Sequence, residues 1–251
     1  MPPLRHFHTW LQSRLIPTGL ALVLLVGCGQ NSPSSTPPPA KPPRDGFGQR
    51  LGTDVTAQPG RAGAQPQLDL PRIVAFGDSL TAGLGVAHDD AYPKQLQDRL
   101  ATEGYRYRVI NAGVSGETTA GGLRRVSWIL QSHPQIVILE LGANDGLRGL
   151  KIEETRANLE QIIRQLEQAK VTVILAGMKM PPNYGADYTR RFEAMYTDLA
   201  KRYRLPLIPF FLEGVATSAS LNQADGIHPT AEGYRLIVDN MMRTIRPRLQ
   251  K

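Results

Sequence analysis

From residue 71 onward, short apolar runs alternate with stretches of helical periodicity, and this alternation restricts the fold more than any other feature of the chain. The middle run, QIVILEL at 135–141, is apolar at nearly every position. A strand with one wet face would alternate apolar and polar residues, so an unbroken run suits a strand covered on both faces. Strands are predicted at 72–76, 107–111, 135–141, 171–176 and 207–210. Helices are predicted between them at 92–103, 120–131, 152–168 and 188–204, with a last one at 231–248. Strand–helix alternation of this kind argues for one α/β domain over 69–251, built on a five-stranded parallel sheet. No internal repeat and no second domain are visible.

In such sheets ligands bind beyond the carboxyl ends of the strands. Four polar, glycine-rich loops fall at that edge: Gly77-Asp78-Ser79-Leu80, the segment Asn111–Thr118 (NAGVSGET), Gly142-Ala143-Asn144-Asp145-Gly146, and Asp225-Gly226-Ile227-His228-Pro229. A serine hydroxyl is a poor nucleophile until an imidazole takes its proton, and that imidazole needs an acceptor on its other nitrogen. Ser79, His228 and Asp225 supply the three groups, since Asp225 stands three residues before His228 and can fold back within a turn. Taken singly, His228 also reads as a structural loop histidine. A developing oxyanion needs donors aimed at it; the candidates are the backbone N–H groups of Ser79 and Gly113 and the side-chain amide of Asn144. An Asx-turn within its own loop is the alternative for Asn144. Asp78, Asp225 and His228 lack the spacing of a metal-ligand motif, so neither metal nor cofactor is expected. Glu140 is read either as a hydrogen-bond partner for the loops or as a strand-end carboxylate met by backbone donors, and Asp145 as a brace. Met178, Met180, Pro181 and Tyr184 offer an apolar wall for an acyl chain, with Leu147 and Leu150 on the same groove; ordinary loop packing is the alternative.

The four loop blocks resemble those of the SGNH (GDSL-type) hydrolase family. LGANDGLRG, PPNYG and PLIPFFLEGV…DGIHPT are similar to the bacterial periplasmic thioesterase I/arylesterase/lysophospholipase subgroup, and the likeness covers about 71–242. The resemblance implies a three-layer α/β/α, flavodoxin-like fold. It also implies Ser79, Gly113, Asn144 and His228 as signature residues with Asp225 completing a triad, no metal, and a broad range of acyl esters and thioesters. The nucleophile elbow of α/β-hydrolases, Gly-x-Ser-x-Gly, is not met, because Leu80 and Thr81 follow Ser79.

The beginning of the chain departs from that subgroup. Arg5 and Arg14 precede an apolar stretch at 20–26 that ends in Leu25-Val26-Gly27-Cys28, which resembles the bacterial lipobox. The apolar stretch is too short for a transmembrane helix. Residues 1–27 are therefore predicted to be a lipoprotein signal peptide and Cys28, the single cysteine, to be the lipidated residue; an ordinary thiol is the alternative. Residues 30–68 contain eight prolines and almost no periodic apolar pattern. Such a segment cannot bury enough surface to offset its ordering entropy and reads as a disordered tether. The expected location is the cell envelope, with the outer membrane favoured by the resemblance because Gly29 stands where an aspartate would favour inner-membrane retention.

The formal charge of +7 falls to +5 when residues 1–27, which hold two arginines and no acid, are removed. No Lys/Arg run or aromatic-basic interleaving accompanies that surplus, so a solvated basic surface is expected rather than a nucleic-acid partner. No obligate protein partner is predicted. Three functions stay open at this point. They are a serine hydrolase of acyl esters or thioesters, a deacetylase of envelope carbohydrate with the same triad, and a lipoprotein module binding an anion at helix N-termini.

Overall fold

The computed structural model describes residues 70–251. The predicted signal peptide, Cys28 and the tether lie outside the described residues. The chain builds five parallel strands, β1 (Arg72–Gly77), β2 (Arg108–Asn111), β3 (Pro134–Glu140), β4 (Thr172–Ala176) and β5 (Leu207–Ile208), in the order β2-β1-β3-β4-β5. The helices are α1 (Ser79–Ala82), α2 (Tyr92–Thr102), α3 (Thr119–Gln131), α4 (Ala143–Leu147), α5 (Ile152–Gln168), α6 (Ala186–Tyr203) and α7 (Ala231–Ile245).

This order is the flavodoxin-like one, and right-handed crossovers explain the layers. The chain moves outward from β1 to β2, then crosses back to β3 and continues the other way. The connection before β2 therefore lands on one face of the sheet, and those after β2 on the opposite face. Accordingly α2 packs against α7, while α5 packs against α3 and α6. β1 and β3, each paired on both edges, are buried along nearly their whole length. In α5 the buried residues Ile152, Thr155, Leu159, Ile162, Ile163 and Leu166 follow the three- and four-residue spacing of one helix face.

Three differences from the sequence reading have local causes. β5 stops at Ile208, because Pro209 has no N–H for the ladder. The chain instead turns, with Gly177 N–H donating to Ile208 O (2.8 Å) and Phe211 N–H to Gly177 O (2.9 Å). α7 ends at Ile245 and passes into a 3-10 turn at Arg246–Arg248 around Pro247. The short helices α1 and α4 lie in segments read as loops, and these two place Ser79 and Asn144.

Candidate active site

Strand β1 delivers its carboxyl end directly into α1. Gly77 permits the close approach, since a Cβ there would overlap Thr81 and Glu140. Asp78 caps α1, its Oδ1 accepting the Leu80 N–H at 3.0 Å. Ser79 is thereby held at the first helical position, with its Oγ 2.9 Å from His228 Nε2.

The His228 loop is folded by its own hydrogen bonds. Asp225 Oδ1 accepts the N–H groups of Ile227 (2.9 Å) and His228 (3.0 Å), and Oδ2 lies 2.6 Å from His228 Nδ1. These two backbone donors, followed by the ring, hold the Asp225 carboxyl down at about 2. A carboxylate on Nδ1 selects the tautomer with the proton there, which leaves Nε2 to accept from Ser79. Gln223 clamps this loop to the one after α1, its side-chain amide donating to Leu84 O (2.7 Å) and Pro229 O (3.0 Å). The sequence reading gave Gln223 no role.

Asn144, on α4, does not close an Asx-turn. Its Nδ2 donates to Asp78 Oδ2 at 2.9 Å. The side chain that does fold back is Asn111, whose Oδ1 accepts the Gly113 N–H at 2.9 Å. That corrects the expectation for Gly113. Its N–H is committed, and its bare Cα packs on α1, where a Cβ would overlap the backbone of Ala82 and Thr81. The residue of this loop that lines the cavity beside Ser79, Asn144 and His228 is Gly116, in the left-handed region at φ +78°. The signal available in the sequence was the second glycine of NAGVSGET, the residue type that tolerates a positive φ.

Beneath the site two carboxyls are buried together. Glu140 Oε2 accepts from Thr81 Oγ1 (2.8 Å) and Asp78 N–H (3.4 Å), so both readings of Glu140 hold in part. Burial, followed by the Asp78 charge, pushes the Glu140 carboxyl well above its usual range. Burial raises Asp78 to about 6 against the lowering pull of its Leu80 and Asn144 bonds. Asp145 is a brace, accepting from Thr119 N–H (2.8 Å) and Thr119 Oγ1 (2.6 Å).

The cavity beside Ser79 and His228, about 240 Å³, shares Leu80, Ala143, Leu147 and Ile227 with an apolar cavity of about 330 Å³. Met178, Met180 and Pro181 line the latter together with Phe210, Leu212 and Ala216. Tyr184 does not line it, which corrects that expectation. Its hydroxyl donates to Leu147 O (2.8 Å) and its ring stacks on Tyr188, so its face is spent on bracing the loop. Leu150 likewise stays out of the lining; its carbonyl accepts from the Tyr188 hydroxyl. Among the described residues no group of three or more His, Cys, Asp or Glu side chains is arranged to hold a metal ion.

Residues 75–236 match the model of the GDSL-like Lipase/Acylhydrolase family. The chain is 40% identical over 178 residues to Esterase TesA of Pseudomonas aeruginosa, spanning 70% of this chain and 89% of the relative. It is 38% identical over 176 residues to Thioesterase 1/protease 1/lysophospholipase L1 of Escherichia coli K12, spanning 70% and 83%. The crystal structure of TesA superposes with a TM-score of 0.68 at 40% identity, covering 70% of this chain and 98% of that one. AlinE4, an SGNH-hydrolase family esterase, gives 0.61 at 44% identity, covering 73% and 98%. The chain belongs to the GDSL-like lipase/acylhydrolase family. It is a hydrolase of acyl ester bonds with a three-layer α/β/α fold, and the anion-binding alternative falls away.

Proposed function

We propose that Ser79, His228 and Asp225 form the catalytic triad, and that Ser79 carries the acyl group between two half-reactions. The observation that carries this reading is the continuous relay from Ser79 Oγ to His228 (2.9 Å) and from His228 to Asp225 (2.6 Å). Ser79 Oγ attacks the acyl carbonyl as its proton passes to His228 Nε2. The carbonyl oxygen becomes an oxyanion that accepts from the N–H groups of Ser79 and Gly116 and from the Asn144 amide. Collapse of this intermediate expels the alcohol or thiol, which takes the proton from His228. Water then attacks the acyl-Ser79 ester as its proton passes to the same nitrogen, and collapse breaks the bond to Ser79 Oγ, which takes that proton back as the acid leaves.

The apolar cavity next to the triad supports acyl chains longer than acetyl as substrates, because each buried methylene contributes about 0.8 kcal/mol. The resemblance of Leu25–Cys28 to a lipobox supports lipidation of Cys28 and attachment to an envelope membrane. Among the described residues no helix is long and apolar enough to cross a membrane. Ester series from acetate to palmitate test the enzymatic reading. A Ser79-dependent maximum beyond acetate supports it, and a maximum at acetate that collapses by butyrate favours the carbohydrate deacetylase instead. Labelled palmitate incorporated by the full chain, and absent from Cys28→Ala, tests the anchor.

A further inference from the structure

Asp78 is 1% exposed, yet both of its carboxyl oxygens are used. Oδ1 caps α1 through Leu80 N–H, and Oδ2 takes one proton of the Asn144 amide. An amide has two N–H donors. With one committed to Asp78, the other is left for the cavity beside Ser79, which Asn144 lines. The carboxyl therefore joins the turn that presents Ser79 to the side chain that would meet the oxyanion.

Glu140 lies under this pair, and its surroundings specify its charge state. Both donors that reach it converge on Oε2, while Oε1 is buried with no partner. A buried carboxylate with one bare oxygen and an acid for a neighbour is far costlier than a neutral acid in the same place. Glu140 is therefore held neutral, with Oε2 accepting from the Asp78 N–H and the Thr81 hydroxyl. Its acceptor oxygen holds the Asp78 backbone and Thr81, and it adds no second negative charge beneath the oxyanion.

We propose that Asp78 is a positioning residue for the oxyanion site, orienting the Asn144 amide through Oδ2 from a seat fixed by neutral Glu140. This rests on the serine-hydrolase reading above. Thr81 completes the seat, bonded to Glu140 Oε2 and lying 3.3 Å from the buried Tyr92 hydroxyl.

The test is a double-mutant cycle in the full-length enzyme, with competent Ser79 counted by fluorophosphonate titration. Asp78→Asn keeps an oxygen for the Leu80 N–H and removes the acceptor for Asn144; Asp78→Ser keeps a capping hydroxyl without the reach to Asn144. Loss of one oxyanion donor lowers turnover by about 10²–10³-fold, so Asn144→Ala is expected in that range and Asp78→Asn at about 10²-fold, with KM changed by less than about threefold. On the Asn144→Ala background, either Asp78 substitution is expected to cost less than about threefold more, because the two residues act as one unit. An undiminished Asp78 effect on that background, or no effect of Asp78→Asn in the parent enzyme, would overturn the inference while leaving the hydrolase reading intact. Absence of Ser79-dependent turnover in the parent enzyme would overturn the hydrolase reading itself.

Discussion

Asp225 grips His228 at two points, the ring through Oδ2 at 2.6 Å and the backbone N–H through Oδ1 at 3.0 Å. One carboxylate thus folds the loop and fixes the imidazole.

This double grip makes Asp225→Asn informative. The retained oxygen can still accept the backbone N–H groups, but an amide NH2 facing Nδ1 imposes the tautomer with its proton on Nε2. That nitrogen can no longer take the Ser79 proton. Turnover of a p-nitrophenyl ester is expected to fall by about 10³–10⁴-fold with the fold intact, as measured by kcat and circular dichroism.

Two of the three perturbed acids of the site, Asp78 and Asp225, act on stability in opposite senses. Asp78 is raised from 3.8 to about 6, so its ionised form is less favourable in the fold than in the unfolded chain. Its contribution to stability therefore declines as pH rises from about 4 to 6 and stays low above that, by on the order of 2–3 kcal/mol. Asp225, lowered to about 2, contributes stability that is present above its unfolded value of 3.8 and is lost only as pH falls toward 2. Between pH 4 and 8 the change at Asp78 exceeds that at Asp225. The melting temperature of Asp78→Asn relative to the parent enzyme is expected to improve as pH rises from about 4 to 6 and to level off above that.

Gly113 and Gly116 separate packing from chemistry. At Gly113 an added methyl meets the α1 backbone, so Gly113→Ala is expected to lower stability by about 2 kcal/mol or more and to deform the turn beneath Ser79. At Gly116 the nearest atom is an Arg148 terminal nitrogen at 3.7 Å, so the methyl has room and only the positive φ is strained. Gly116→Ala is expected to cost about 1 kcal/mol of stability and about tenfold or more in kcat. Urea melts beside steady-state kinetics distinguish the two.

Ala216 lines the apolar cavity and is absent from the lining shared with the triad. Ala216→Phe should fill that space. The predicted outcome is a fall of about tenfold or more in kcat/KM for octanoate esters, the equivalent of two lost methylene contacts, with acetate unchanged.

How much of this was legible in the sequence depended on the range of the interaction. The unbroken apolar run in β3 and the one-face spacing in α5 are local patterns, and both elements fell where the pattern put them, α5 at both ends. His228 and Asp225 were readable because they share one turn. α1 and α4 were not, because four or five residues are too few to show a helical period. Gly116 did not stand out beside Gly113 because the difference between them lies in whether the N–H is already used, and Asn111 takes that of Gly113. The Asp78–Asn144 bond joins the ends of two strands 66 residues apart in sequence, and no spacing rule announces it.

The most direct measurement is the site of covalent capture by a fluorophosphonate, read by intact mass and peptide mapping, alongside ester turnover of Ser79→Ala. One adduct on Ser79, slowed in His228→Ala and absent from Ser79→Ala together with turnover, is the predicted result. An adduct on another residue, or ester hydrolysis by pure Ser79→Ala at the parent rate, would contradict the assignment of Ser79 as the nucleophile.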